Sequence, residues 1–383
     1  MMAATALFLL GSLFASGDAG DCVAMSGNGS LTIGFDTNGS LSVCRGPGTT
    51  APNQITYSGA NSLNRGGMWG IPREGGIDWL PEKYAQDTEV TIAESGVPIV
   101  TIVYRPIGAV GTALVCKDID VAVFRLQFNE PPASNTVVWY SDFSPCTSVM
   151  RGLPSSEFLF PARRDMVAFT QYDTVYHARP NAPSTAMWDD AVSWLAGGKP
   201  PQWFTKGDGV WIAYTADKEI AGVACGAEHG EGSAIALAES AAWNSQTKAV
   251  GACASAVAVP IDPETRSATV YVAFGEMRAD ADAALSTARQ QGFKALFDGV
   301  RLEWKERAQF GAWPIGAGDD VLGLKERAVV TLLTLADTKT GAVARGPHSQ
   351  PATCVAMPRD VAWLAYALDL VSQTETVTNL LKF

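Results

Sequence analysis

Histidine is scarce in this chain. Three occur in 383 residues, at His177, His229 and His348, too few to supply a histidine-built metal centre or a histidine-based catalytic triad. Charge is thin and lopsided: 28 basic against 39 acidic residues, for a net charge of −11. With no basic stripe and no aromatic–basic interleaving, nucleic acid is not an expected partner. There is no P-loop, and Gly27-Asn28-Gly29 lacks the third glycine of a dinucleotide fingerprint, reading instead as the opening of a strand. The seven cysteines (Cys22, Cys44, Cys116, Cys146, Cys225, Cys253 and Cys354) stand singly with no C-x-x-C spacing. That pattern favours neither a zinc site nor a redox motif, and no cofactor is expected.

The longest apolar run, Ala3 to Ala15, is too short and too broken by Gly and Ser for a stable membrane span. Small residues at Ala15-Ser16-Gly17 suit signal-peptidase cleavage, although no Lys or Arg precedes the run. Residues 1–17 are therefore expected to be a signal peptide and the protein to be secreted or periplasmic. Disulfides form in such compartments. Cys22 and Cys44 bracket one hairpin and Cys225 and Cys253 another strand pair, so each couple is expected to meet across a ladder; the alternative is four buried thiols.

From Ser30 to Phe274 the pattern is mainly β. Leu31, Ile33 and Phe35 alternate with polar partners, Asn38-Gly39 offers a two-residue hairpin turn, and Leu41 and Val43 alternate again. Further strand-like runs span 99–104, 121–126, 136–140, 210–214 and 268–274. Gly, Pro, Asn and Asp clusters separate them, and no intervening helix is expected, which points to a large antiparallel sandwich. Helical periodicity begins at Asp280: Phe293, Phe297, Val300 and Trp304 share one face, with Trp304 read as packing. A second helix over 319–336 is apolar around most of its surface. No internal repeat and no low-complexity linker appears.

The last stretch carries the most chemistry. An apolar helix ends at Ala336-Asp337, followed by Thr340-Gly341-Ala342-Val343-Ala344, and later by Pro358-Arg359-Asp360-Val361-Ala362-Trp363. An arginine beside a carboxylate at a helix mouth makes a donor-plus-acceptor fork, which suits adjacent sugar hydroxyls because each donates and accepts. Asp360 is also a natural helix N-cap, with Val361, Leu364, Ala365, Leu368 and Val371 forming the stripe behind it. The two roles are compatible.

This ordered segment resembles the start of the catalytic domain in the glucoamylase-like glycoside hydrolases of family 15 type. Gly27-Asn28-Gly29-Ser30-Leu31-Thr32-Ile33-Gly34-Phe35-Asp36 is similar to the opening of their N-terminal super-sandwich, and Asp142-Phe143-Ser144-Pro145-Cys146 and the helix with Trp304 fall where similar features fall there. The resemblance implies a super-sandwich over 21–275, a helical linker over 276–318, and over 319–383 the truncated first helices of an (α/α)6 barrel. It implies an α-glucan or oligosaccharide substrate, inverting hydrolysis releasing glucose from non-reducing ends, and Arg359 and Asp360 as substrate-binding residues. It places both catalytic carboxyl groups beyond Phe383, so this chain alone is expected to be inactive. Glu326 and Glu375 are not nominated as catalytic. The tryptophan that often stands two residues before Arg-Asp in the family is Met357 here. Two other readings stay open: an inverting glycoside phosphorylase of related architecture, and a non-catalytic carbohydrate-binding β-sandwich.

Overall fold

A computed structural model describes residues 22–48, 53–55, 66–145, 167–180, 184–206, 209–227, 230–307, 318–344, 358–370 and 372–382, with the side chains of 205–206, 319–322 and 358–360 left outside that description. Along the chain run β1 (Ala24–Gly27), β2 (Thr32–Phe35), β3 (Leu41–Arg45), β4 (Gly67–Arg73), β5 (Gly76–Trp79), α1 (Leu80–Lys83), β6 (Thr88–Glu94) and β7 (Val97–Tyr104). Next come β8 (Ala109–Val115), β9 (Val121–Phe128), β10 (Thr136–Ser141), β11 (Val167–Gln171), β12 (Thr174–Pro180), α2 (Thr185–Leu195), α3 (Trp203–Lys206), β13 (Gly209–Ala216) and β14 (Gly222–Ala227). After α4 (Ala234–Glu239), β15 (Lys248–Val250), β16 (Cys253–Pro260) and β17 (Ser267–Gly275), the chain turns helical: α5 (Arg278–Arg307), α6 (Asp319–Leu335), α7 (Pro358–Leu370) and α8 (Thr374–Lys382).

The strands form a nine-stranded sheet in the order β15-β11-β12-β13-β17-β9-β8-β7-β6, a five-stranded sheet in the order β14-β16-β10-β4-β5, and the small sheet β1-β2-β3. Alternate residues of the large sheet face two different cores, which is why β13 and β17 are buried along their whole length and read as near-continuous apolar runs. One set (Phe124, Ile212, Tyr214, Val272, Phe274) faces the five-stranded sheet and closes a sandwich. Across that interior Phe124 stacks on Trp139 at 4.6 Å, and Trp139 meets Trp69 edge-on at 5.0 Å. The other set (Trp211, Ala213, Tyr271, Ala273) packs under the helices, joined by Leu296, Val300 and Trp304 of α5 and by residues of α6 to α8. Trp304 is 2% exposed, in keeping with a packing role.

The strand runs expected over 99–104, 121–126, 136–140, 210–214 and 268–274 all form. Several details differ. The Asn38-Gly39 hairpin has a three-residue loop: Asp36 and Ser40 still pair, the Asp36 carboxylate accepts from the amides of Asn38 and Ser40 at 2.9 Å each, and Gly39 takes φ 84. Gly27-Asn28-Gly29 closes β1 and turns into β2, because strand structure already begins at Ala24; the Asn28 amide bridges to the carbonyls of Cys116 and Ile119. Helices α2 and α4 interrupt the β region, each capped by a serine (Ser184, Ser233) whose side chain accepts an amide of the first turn. Finally, α5 breaks at Gly292, whose φ 74 and ψ 161 are open in practice only to glycine.

Topology also separates the cysteines. Val23 and Ala24 pair with Phe35 at the head of β1, Cys44 lies opposite Ile33 on β3, and β2 runs between the two strands. Cys22 and Cys44 are thus a strand and several residues apart, out of reach of a bridge. Cys225 faces Ser255 while Cys253 faces Ala227. They are diagonal neighbours at a spacing of roughly 7–8 Å, beyond the usual Cα separation of a disulfide. No bond joins either couple. Burial pushes the Cys225 thiol up to about 12 and the Cys44 thiol higher still, so both are unreactive thiols inside the fold.

Candidate sugar site at the start of the helical region

The turn after α6 explains the sequence Asp337-Thr338-Lys339-Thr340-Gly341. Asp337 is 5% exposed, and its carboxylate accepts from the amides of Lys339 at 3.0 Å and Thr340 at 2.8 Å. Its own amide donates to Ala342 at 2.7 Å, and its carbonyl accepts from Gly341 at 2.8 Å. Gly341 sits at φ 77, and a Cβ there would fall 2.2 Å from the Asn379 carbonyl oxygen of α8. Left-handed backbone and close approach both require glycine. The sequence marks Asp337 only as the end of an apolar helix; its role in holding the turn shows in an aspartate four residues ahead of a turn glycine.

This turn also touches the opposite end of the sequence. Thr338 donates its amide to the Gly29 carbonyl at 2.8 Å, and Thr32 donates its hydroxyl to Thr334 at 3.1 Å. Gly29 is at φ 84, and a Cβ would lie 2.4 Å from the Thr338 methyl. The two motifs that carried the family resemblance therefore meet face to face, clamping the sandwich to the first helices.

Arg359 and Asp360 are the second and third residues of α7, directly after Pro358, a residue preorganised for a helix start, so Asp360 lies within the first turn and is not the N-cap that the sequence suggested. Their side chains, together with Met357 and Cys354, lie outside the described residues. Of the stripe expected behind them, Leu364, Ala365 and Leu368 are buried and Val361 is partly buried, while Val371 lies outside the described residues. The opposite face leaves Trp363, Tyr366 and Leu370 55%, 47% and 48% exposed, forming an apolar strip at the surface. Glu326 is contacted by the Ser95 hydroxyl, while Glu375 borders a cavity beyond the far end of α7.

That cavity, of about 390 Å³, is walled by the end of α5, the Asp337–Gly341 turn and the first turns of α8. From Arg359 to the end of α7 is roughly 17 Å along the helix axis, so the cavity and the Arg-Asp pair are distinct places.

One further group of chemical side chains lies inside the sandwich. His177 contacts the Ser255 hydroxyl at 2.6 Å, Tyr214 donates to the same oxygen at 2.7 Å, and the Phe143 backbone holds the imidazole from another side. His177 and Ser255 are fully buried, and desolvation pushes the histidine down to about 3. A neutral histidine sealed from solvent is core architecture and no catalytic base. Among the described residues no group of His, Cys, Asp and Glu is placed to hold a metal, and no helix is long and apolar enough to cross a membrane.

The sequence matches no protein-family model and no curated protein. Solved structures do match. A bacterial glucoamylase complexed with acarbose superposes with a TM-score of 0.66 at 10% identity, covering 97% of this chain and 51% of that one. A protein described as a kojibiose phosphorylase from the human microbiome gives 0.48 at 9% identity, covering 85% and 41%. A family 92 α-mannosidase from Bacteroides thetaiotaomicron gives 0.44 at 12% identity, covering 86% and 41%. The chain has a glucoamylase-like fold, β-sandwich plus helices, and spans about half the length of the glucoamylase it matches.

Proposed function

We propose that this chain is the sandwich and first barrel helices of a glucoamylase-like glycoside hydrolase that releases glucose from non-reducing ends of α-glucans by inversion. In this reading the sandwich runs over 21–275, residues 276–318 are a linker, and the helices from Asp319 open an (α/α)6 barrel in a secreted or periplasmic enzyme. The observation that carries it is the glucoamylase-like fold over 97% of the chain. Two features support it: the clamp between Gly29 and Thr338, and the Arg359-Asp360 pair at a helix mouth. Arg359 and Asp360 hold hydroxyls of the terminal sugar. An inverting cleavage needs a general acid and a general base about 6.5–9.5 Å apart, and these carboxyl groups are assigned outside this sequence.

Substitution in the complete enzyme separates a sugar grip from a purely structural carboxylate in the first turn of α7. Asp360→Asn preserves size but removes the charge. A hydrogen bond to a charged group contributes about 1.5–3 kcal/mol, so kcat/KM should fall about 10- to 100-fold, with thermal stability unchanged. Arg359→Lys should also reduce kcat/KM, because a point charge cannot reproduce the planar fork. Wild-type kinetics for Asp360→Asn would leave Asp360 as a structural carboxylate in the first turn of α7 and remove the assignment.

A further inference from the structure

The cavity at the far end of α7 has a lining that the Arg359-Asp360 site does not use. We propose that it is a second binding site, for the end of a neutral oligosaccharide; the choice of sugar rests on the glycan-active reading above. Its volume of about 390 Å³ falls in the range of small-molecule sites, roughly 300–1,000 Å³. Three wall residues, Gln373, Glu375 and Asn379, make no side-chain hydrogen bond or ion pair among the described residues, and Gln373 and Asn379 are half-buried. Both amides line the cavity with their hydrogen-bonding capacity uncommitted to the protein, so a ligand entering it can engage them in place of water. Arg307 closes one side, held by Glu303 at 3.2 Å and lying over the Trp304 ring.

The chemistry selects the ligand class. Two amides donate and accept, a carboxylate accepts and a guanidinium donates, which together match hydroxyls that do both. Asp337 and Glu375 both border the cavity against one arginine, so an anion such as phosphate meets net negative charge. Leu333 and Ala336 add an apolar patch for the carbon face of a sugar ring. Ser372 at the rim is held at φ 61, a left-handed conformation uncommon for residues other than glycine, asparagine and aspartate.

Hydrogen–deuterium exchange of the full chain with millimolar maltose reads the two sites separately. Maltose is expected to slow exchange in peptides covering 336–341 and 372–379. Gln373→Ala/Asn379→Ala should raise the maltose concentration giving half-maximal protection there about tenfold or more. Glu375→Gln, at an exposed position, should raise it several-fold and serves if the double variant fails to fold. Protection confined to residues near 358–362 would overturn this site while leaving the Arg359-Asp360 reading intact. Absence of protection at 336–341 and 372–379, protection unchanged in the variants, or equal protection by inorganic phosphate would each overturn it as well.

Discussion

At the scale of single residues, burial decides what the chemically suggestive side chains do. His177, Ser255 and Tyr214 form a chain of contacts that in a cleft would invite a catalytic reading, but all three are closed off in the sandwich. Desolvation favours the neutral imidazole and lowers its pKa from 6.5 to about 3. Between those values the unfolded chain binds a proton that the folded chain does not, so stability must fall as pH drops below about 6.5 and level off below about 3. His177→Gln removes that titration. Urea midpoints measured from pH 7 to pH 4 should decline more steeply for the wild type than for His177→Gln. Parallel curves would show that the imidazole carries none of the acid sensitivity.

At the scale of elements, glycines mark where the backbone does something a side chain would prevent. Gly29 and Gly341 sit at close approaches, the first against Thr338 and the second against α8. Gly292 is different, because a Cβ there would meet nothing within 4 Å. Its φ 74 and ψ 161 break α5, so that Leu285 before the break and Leu296, Val300 and Trp304 after it are all buried. Gly292→Ala is therefore expected to cost about 1–3 kcal/mol through backbone strain alone, seen as a lower urea midpoint with an unchanged slope. Equal or higher stability would mean that α5 can straighten without losing its packing. The same element is tied to the sandwich edge by Glu94, whose carboxylate pairs with Arg301 at 2.7 Å and Lys305 at 2.6 Å and is held down to about 2. These are exposed pairs, and their share in docking α5 is small beside the buried Trp304.

At the scale of the whole molecule, the described strands bury both faces of the large sheet, while the described helices α7 and α8 keep apolar side chains at the surface. Trp363, Tyr366 and Leu370 on α7 and Leu381 on α8 are exposed apolar side chains among the described residues; under the proposed function these faces meet further barrel helices. Under the proposed function, the purified 383-residue chain should release no glucose from maltooligosaccharides, since a positioned acid or base contributes about 10²–10⁴-fold each. Robust glucose release by this chain would refute the placing of both carboxyl groups outside it.

What the sequence determined by itself was the local geometry: the alternating strands, the helices from Asp280 onward, and the family order of motifs. Those follow from side-chain period and backbone sterics within a few residues, and they are readable without a fold. Short strands such as β1 and β15, the three-residue hairpin loop and the break at Gly292 were not legible, because each is set by partners elsewhere in the chain. Only the tertiary structure decided which distant segments meet. It brought Gly29 to Thr338, kept Cys22 from Cys44 by laying β2 between them, and gathered Arg307, Asp337, Gln373 and Asn379 around one cavity. Neighbour relations across a sheet or between helices depend on the path of the whole chain, which no local pattern encodes.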